Sequence, residues 1–393
     1  MNGAPVAAGA PRRGSLRWAL MFGNFVIGCG VLSVAGTLND LAHSLHVSVA
    51  LAGQLIAIAA ATMAIGAPLL AGWVAGFDRR RLLALALLWY AAGHALSTLA
   101  PSYAVLWPAR ALTMLAAAVF TPQAAAAIGF MAPPHERGRA ITFIFLGWSV
   151  ASVLGLPMSA WLGETYGWRV AFDVIAGLAL IAAVWVYRVV PDGVRPAALS
   201  RRAWRAVLTN PVLMALVLVT ALSGAGQFTL FSYFTPYYRQ TLGLGTGQIT
   251  LLLTWFGAFG LIGNVVLTRV IDRVGPQVAV AVTLSMIALS LLLWPLAVGV
   301  ASMALVLLPW GLGCFASNST QQARLGIAAP AFAPALMALN TSAIYLGQAA
   351  GAASGGWLIA HGGYAPLNWF GLAWLLVAIA TSVWAGRRSV VFA

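Results

Sequence analysis

Arg110 is the only charged residue between Arg81 and Glu136, and it falls about two turns inside a long apolar run. An isolated guanidinium at the centre of a bilayer costs roughly 2.5–3.5 kcal/mol on insertion scales, so this side chain must meet a wet cavity or a partner. Around it the sequence offers polar but uncharged chemistry. Asn24, with a few hydroxyl residues, is the polar group of the first apolar run before Asn39 and Asp40; Gln227, Thr229 and Tyr233 share an aromatic run; Trp310, Ser317, Asn318, Gln321 and Gln322 share another. A buried amide in lipid needs a hydrogen-bond partner, which makes such groups either glue between helices or the lining of a cavity. Enzyme chemistry finds no support. With no lysine there is neither a P-loop nor a Schiff base, and His-Glu-x-x-His and Gly-x-Ser-x-Gly do not occur. Cys29 and Cys314 make neither a disulfide framework nor a metal-ligand spacing and are read as small packing residues. No metal and no cofactor is expected.

The elements that must position these residues are membrane helices. The chain of 393 residues is 62% hydrophobic and only 7% charged, against roughly 25% charged in soluble domains. A hydrocarbon core takes about 20 apolar residues per helix. Twelve such runs are predicted, over 18–39, 50–73, 83–100, 104–131, 140–162, 168–190, 211–237, 246–270, 277–298, 300–326, 335–360 and 365–386.

The net charge of +14 could suggest a nucleic-acid partner, but the arginines are distributed as topology signals. Eighteen of the 21 fall in alternate loops, which by the positive-inside rule puts both termini in the cytoplasm. The expected organisation is a disordered cytoplasmic tail (1–17), a six-helix bundle (18–190), a cytoplasmic linker (191–210), a second six-helix bundle (211–386) and a short cytoplasmic tail (387–393).

Two features repeat between the bundles. A small residue recurs every four positions at Gly147, Ala151, Gly155, Ser159 and Gly163, with Pro157 among them, and again at Ala343, Gly347, Gly351 and Gly355. Each set forms a ridge along which another backbone can approach closely. For the first ridge the expected neighbour is the eighth span of the other bundle, with Gly257, Gly260 and Gly263. Likewise Gly72 to Arg81, with Asp78, Arg79 and Arg80, is answered after the eighth span by Gly263 with Asp272, Arg273 and Gly275. The pattern is a parallel repeat of six spans. Arg169 and Asp173 have the i, i+4 spacing of a local ion pair.

On these residues the chain resembles a major facilitator superfamily transporter, of the drug and metabolite proton antiporter group. Residues 72–81 are similar to the family's cytoplasmic motif, with its acid displaced to Asp78. Leu106 to Ala118, containing Arg110, is similar to the fourth-helix motif, and Gly147 to Pro157 to the antiporters' fifth-helix motif. The resemblance covers nearly the whole chain and implies twelve helices in two bundles. It places helices 1, 4, 7 and 10 around a central cavity, which selects Asn24, Gln227, Tyr233 and Asn318 for substrate contacts, and places the third helix, with the buried His94, at the periphery. It implies a part for Arg110 in proton coupling or substrate binding. Many efflux members carry a glutamate in the first helix where this chain aligns Val31. Arginine cannot release its proton near neutral pH, so a carrier has to be sought among Asp40, Asp173, Asp78, a histidine or the substrate. Asp40 is chosen, with Arg110 as its partner.

The expected protein is thus a monomeric, multi-pass transporter of the bacterial inner membrane that exports a small organic compound in exchange for protons. Uptake of a sugar or nucleoside by facilitation or symport is the alternative, and a non-transporting membrane receptor a second. Its partners are that small molecule, protons and the bilayer, with no nucleic acid.

Overall fold

The computed structural model describes residues 13–47, 49–195 and 201–388, and among them all regular structure is helical. The first half contains α1 (Arg13–Gly36), the short α2 (Leu38–Ser44), α3 (Val49–Trp73), α4 (Arg79–Thr98) and α5 (Tyr103–Met131). It continues with α6 (Arg137–Val150), a π turn (Ala151–Gly155), α7 (Leu156–Tyr166) and α8 (Trp168–Val189). A linker helix, α9 (Arg201–Thr209), leads into α10 (Pro211–Phe231), α11 (Phe234–Gln240), α12 (Thr246–Val274), α13 (Pro276–Leu293), α14 (Val300–Ala328), α15 (Ala333–Gly362) and α16 (Leu367–Arg388).

Each of the twelve expected spans coincides with a long helix or, for the fifth, with the α6–π–α7 rod. Among the described residues ten helical stretches are long and apolar enough to cross a membrane. The two remaining rods miss that measure for compositional reasons: α4 opens on Arg79, Arg80 and Arg81, and α15 is built largely of Ala, Gly, Ser and Thr. The expected N-terminal tail is shorter than 1–17, because α1 already begins at Arg13; residues 1–12 lie outside the described residues. At the other end Arg387 and Arg388 belong to α16, so the expected tail contributes only 389–393, also outside them.

Local chemistry sets the helix ends. Asp78 precedes α4 and accepts the Arg81 N–H at 3.3 Å, and Asn210 accepts from Val212 and Leu213 at 3.0 and 3.1 Å, two of the donors that open any helix without a partner. Gly167 and Gly275 take φ of +90° and +83°, which side-chain-bearing residues rarely adopt, and so let α7 and α12 turn directly into the next helix. In the fifth rod Pro157 has no N–H to give Val153. The ladder slips by one residue, and Leu156 N–H reaches back five positions to the Ala151 carbonyl.

The burial pattern is one-sided. Toward the end of the molecule that carries the arginine-rich connections, α5 is buried almost all round from Thr113 to Ile128, α14 from Ala316 to Gly326, and α15 from Ala333 to Ala343. Toward the opposite end α15 is buried only along Gly347, Gly351 and Gly355, and α5 only at Leu106 and Arg110. The two halves meet at the arginine-rich end and part toward the other.

Candidate functional site: a buried arginine on a broken ridge

Arg110 is 1% exposed on α5 and reaches across to α1. Nη2 donates to the Gly30 carbonyl at 2.7 Å and to the Val31 carbonyl at 3.2 Å, while Nη1 lies 3.4 Å from His94 Nε2 on α4. The Phe172 ring of α8 sits 5.9 Å from the guanidinium carbon. Among the described residues no carboxylate is within ion-pair distance of Arg110. The cation is solvated by carbonyls and a ring nitrogen instead. Val31, aligned with the relatives' glutamate, offers it a backbone oxygen.

That arrangement requires a close approach at Gly30. A Cβ there would meet Tyr90 Oη and lie 2.7 Å from His94 Nε2, so only glycine leaves room for the cluster. Tyr90 donates to the Ile27 carbonyl at 2.9 Å, and the Tyr90 carbonyl faces His94 Nδ1 at 3.0 Å. His94 therefore stands inside the site with Arg110, which its reading as a peripheral histidine missed. A signal was present: α4 and α5 are joined by the turn around 99–102, and residues 94 and 110 lie at similar depths on its two sides.

Asp40 is elsewhere. Its Oδ2 accepts the Trp168 N–H at 2.6 Å and caps α8; the structure does not bring it to Arg110. Arg169 does not form the expected ion pair with Asp173. It donates to the Thr98 and Ala100 carbonyls at 2.9 and 3.0 Å and to Ser44 Oγ at 3.0 Å, lying over the Trp168 ring. Carbonyls freed where α4 ends outbid an exposed aspartate, whose ion pair in water is worth little.

The four residues chosen for substrate contact divide. Asn24 is fully buried, with Nδ2 on the Ile144 carbonyl at 3.2 Å and Oδ1 accepting from Thr121 at 2.9 Å, and in this conformation it is glue between α1, α5 and α6. Gln227 bridges Ser223 and the Trp310 indole, and Tyr233 donates to the Ala352 carbonyl at 2.7 Å. Half-buried Asn318 keeps an Oδ1 with no partner.

The first ridge packs within its own half. A Cβ at Gly147 would meet Met21 O and Phe25 N of α1, one at Gly155 the Cys29 sulfur, and one at Gly163 the Thr37 side chain. The fifth rod does cross the eighth span, through Ser149 and Val153, but the ridge does not face it: Gly260 and Gly263 of α12 lie against Phe315, Cys314 and Leu312 of α14, and Gly257 meets only Val153. A four-residue spacing defines a face but does not name what covers it.

The repeated hairpins also diverge. Asp78 accepts from Gly193 N–H of the linker at 2.7 Å, buried Arg79 binds the hairpin carbonyls of Val74, Ala75 and Phe77, and Arg80 donates to Tyr187 O at 2.6 Å. All of these stay within the first bundle and the start of the linker. Gly72 meets only Trp204 of α9, at 3.7 Å. Asp272, by contrast, accepts the Arg139 N–H at 3.0 Å at the start of α6, crossing between halves. Among the described residues the Arg273 side chain makes no hydrogen bond or ion pair in this hairpin. Three further bonds join the halves: Asn264 to Ser149 Oγ at 2.8 Å, Ser342 to the Ala64 carbonyl, and Tyr345 to Met63 Sδ at 3.2 Å.

Two pseudo-repeated helical bundles closed at one end, with a buried cation toward the other, are the architecture of a membrane transporter. The model of the Major Facilitator Superfamily matches residues 20–336, and the chain belongs to that family. It is 31% identical over 345 residues, 88% of each chain, to the "Inner membrane transport protein YdhP" of Escherichia coli K12. Its fold is shared by the human organic anion transporter MFSD10, with a TM-score of 0.77 at 17% identity, covering 95% of this chain and 100% of that one. It is shared also by the proton:xylose symporter XylE, with a TM-score of 0.73 at 19% identity and 94% of each chain covered. The chain is a multi-pass membrane transporter of this superfamily.

Proposed function

We propose that the protein is a bacterial inner-membrane exporter of a small organic compound, driven by proton exchange, with both termini and the 191–210 linker in the cytoplasm. The observation that carries the reading is the one-sided closure of the halves: sealed at the arginine-rich, hence cytoplasmic, end and parted toward the periplasm. That is the outward-open arrangement, the one from which an exporter releases its cargo. Support for exchange comes from the Gly147–Pro157 ridge, similar to that of antiporters, and from Arg110, a charge kept in the membrane against its cost. The relative's name gives inner-membrane transport.

Thermal stabilisation of the purified protein by a panel of organic cations, organic anions, sugars and nucleosides would identify a ligand. Flux of that ligand in oriented proteoliposomes, with and without a pH gradient, then tests the rest. Accumulation driven by an opposing proton gradient is expected, and flux indifferent to pH would replace exchange by facilitated diffusion. Cysteines at Ala198 and Ser102 test orientation: an impermeant reagent added from the periplasm should label 102 and spare 198.

A further inference from the structure

Resting on the proton-exchange reading, we infer that His94 is the proton-binding residue of the transport cycle, acting on Arg110 as an acceptor that protonation abolishes. The tautomer follows from its neighbours. The Tyr90 carbonyl, 3.0 Å from Nδ1, can only accept, so Nδ1 carries the hydrogen and Nε2 the lone pair. Arg110 Nη1, 3.4 Å from Nε2, can only donate. Neutral His94 thus completes the set of acceptors that seats Arg110 on the α1 carbonyls of Gly30 and Val31. A proton from water has one place to go, the Nε2 lone pair. Its arrival breaks the Arg110 hydrogen bond, sets the imidazole to compete with Arg110 for the Gly30 carbonyl, and leaves two cations in contact with no carboxylate among the described residues to offset them. Arg110 must leave its seat, and α1 keeps only the Thr121–Asn24 bond of its side-chain ties to α5.

The surroundings supply no competing switch. His94 is 1% exposed. The ionisable groups around it are Arg110 from α5 and Tyr90 from α4, with Cys29 of α1 and Tyr345 of α15 reaching Tyr90. The α8 face presents the Phe172 ring, 5.4 Å from the imidazole, while Asp173 is exposed and Arg169 is spent on the Thr98 and Ala100 carbonyls. An unperturbed histidine changes charge between about pH 5 and 8, which arginine and tyrosine do not; burial and the Arg110 cation oppose a second charge in this conformation, so His94 takes its proton only as Arg110 leaves.

Two measurements on the full chain test the inference. Replacing the four exposed histidines, His43, His46, His135 and His361, by glutamine leaves His94 as the single imidazole. Its ¹⁵N spectrum in nanodiscs should show the Nδ1–H tautomer near pH 8 and a protonated ring near pH 5. Separately, Leu32→Cys on the half-buried face of α1, with Cys29 and Cys314 replaced by alanine, reports release of α1 to an impermeant maleimide. Labelling should rise severalfold on acidification and become independent of pH in His94→Gln, whose amide oxygen still accepts from Arg110 but takes no proton. A His94→Gln protein that keeps the pH response, or a His94 that stays neutral throughout while the response persists, overturns the assignment and leaves proton exchange standing. Absence of any pH response in the parent, in labelling and in flux alike, overturns proton exchange itself. If His94→Gln fails to fold, the spectrum of the single-histidine protein still decides.

Discussion

The two small-residue ridges do the same job in the two halves, yet one is broken and the other is not. In the second half Gly347, Gly351 and Gly355 run along the continuous α15 and lie on the α10 backbone at Ala221, Ala225 and Thr229. In the first half the ridge follows α6, the π turn and α7 and lies on α1 at Met21 to Phe25, Cys29 and Thr37. The π turn falls at Ala151–Gly155, where the ridge passes Cys29, one residue before the Gly30 that seats Arg110. A straight rod keeps one register along its partner, whereas a rod interrupted by a π turn can bend. The comparison assigns scaffolding to the α10–α15 pair and movement to the α1–α6–α7 pair.

Breaking the scaffold should produce the largest effect. A Cβ at Gly351 would meet the Ala225 carbonyl and come within 2.9 Å of Thr229 N, both fixed by their own helix. Gly351→Leu is expected to cost about 3 kcal/mol and to leave little folded protein, read as membrane yield and thermal unfolding. Near-normal yield would show that the second ridge gives way as easily as the first.

In the moving pair the obstacle at Gly155 is a side chain. Gly155→Ala pushes on the Cys29 sulfur and should destabilise by about 1–2 kcal/mol. Cys29→Ala in the same chain removes that sulfur and should restore most of the loss, a coupling that two independent sites would not show. Lack of rescue would place the obstruction in the α1 backbone and erase the distinction between the ridges.

Pro157→Ala sharpens the origin of the break. Restoring an N–H at 157 gives Val153 its partner, and hydrogen exchange over 150–160 should slow while stability changes within about 1 kcal/mol. Unchanged exchange would mean that packing on α1, and not proline, sets the π turn.

How much of this was legible follows the same physics. Length and apolarity fix a membrane helix almost by themselves, so the twelve rods could be placed from sequence, α4 and α15 included, though their arginines and small residues lower the apolar signal. Periodicity showed that Gly147 to Gly163 forms a face, and nothing in it distinguished α1 from α12 as partner. The Arg169–Asp173 spacing allowed an ion pair, but the carbonyls where α4 ends were invisible to spacing. His94 and Arg110 meet only because a tight turn folds two helices side by side. Buried polar groups are the part of a membrane protein whose partners three dimensions choose.

The smallest effect concerns the hairpins, where the asymmetry between halves runs the other way: Asp272 crosses to the opposite half while Asp78 stays at home. Asp272 Oδ1 accepts the Arg139 N–H among the opening donors of α6, and a Cβ on Gly138 would stand 2.7 Å from that oxygen. A carboxylate at a helix N-terminus is worth about 0.3–1 kcal/mol where exposed, and salt weakens it. Asp272→Asn keeps an acceptor and loses the charge, so it should open the arginine-rich end in a larger share of molecules by about two- to fivefold. Spin labels at the exposed Phe130 and Val274, one on each half, would read that share as a longer-distance population. High salt should mimic the substitution in the parent and add little in the variant. Asp78→Asn is the control, since its bonds, to Arg81 and to Gly193 of the linker, do not reach the second bundle and its loss leaves the distance distribution unchanged. A larger shift from Asp78→Asn than from Asp272→Asn would reverse which hairpin holds the halves together.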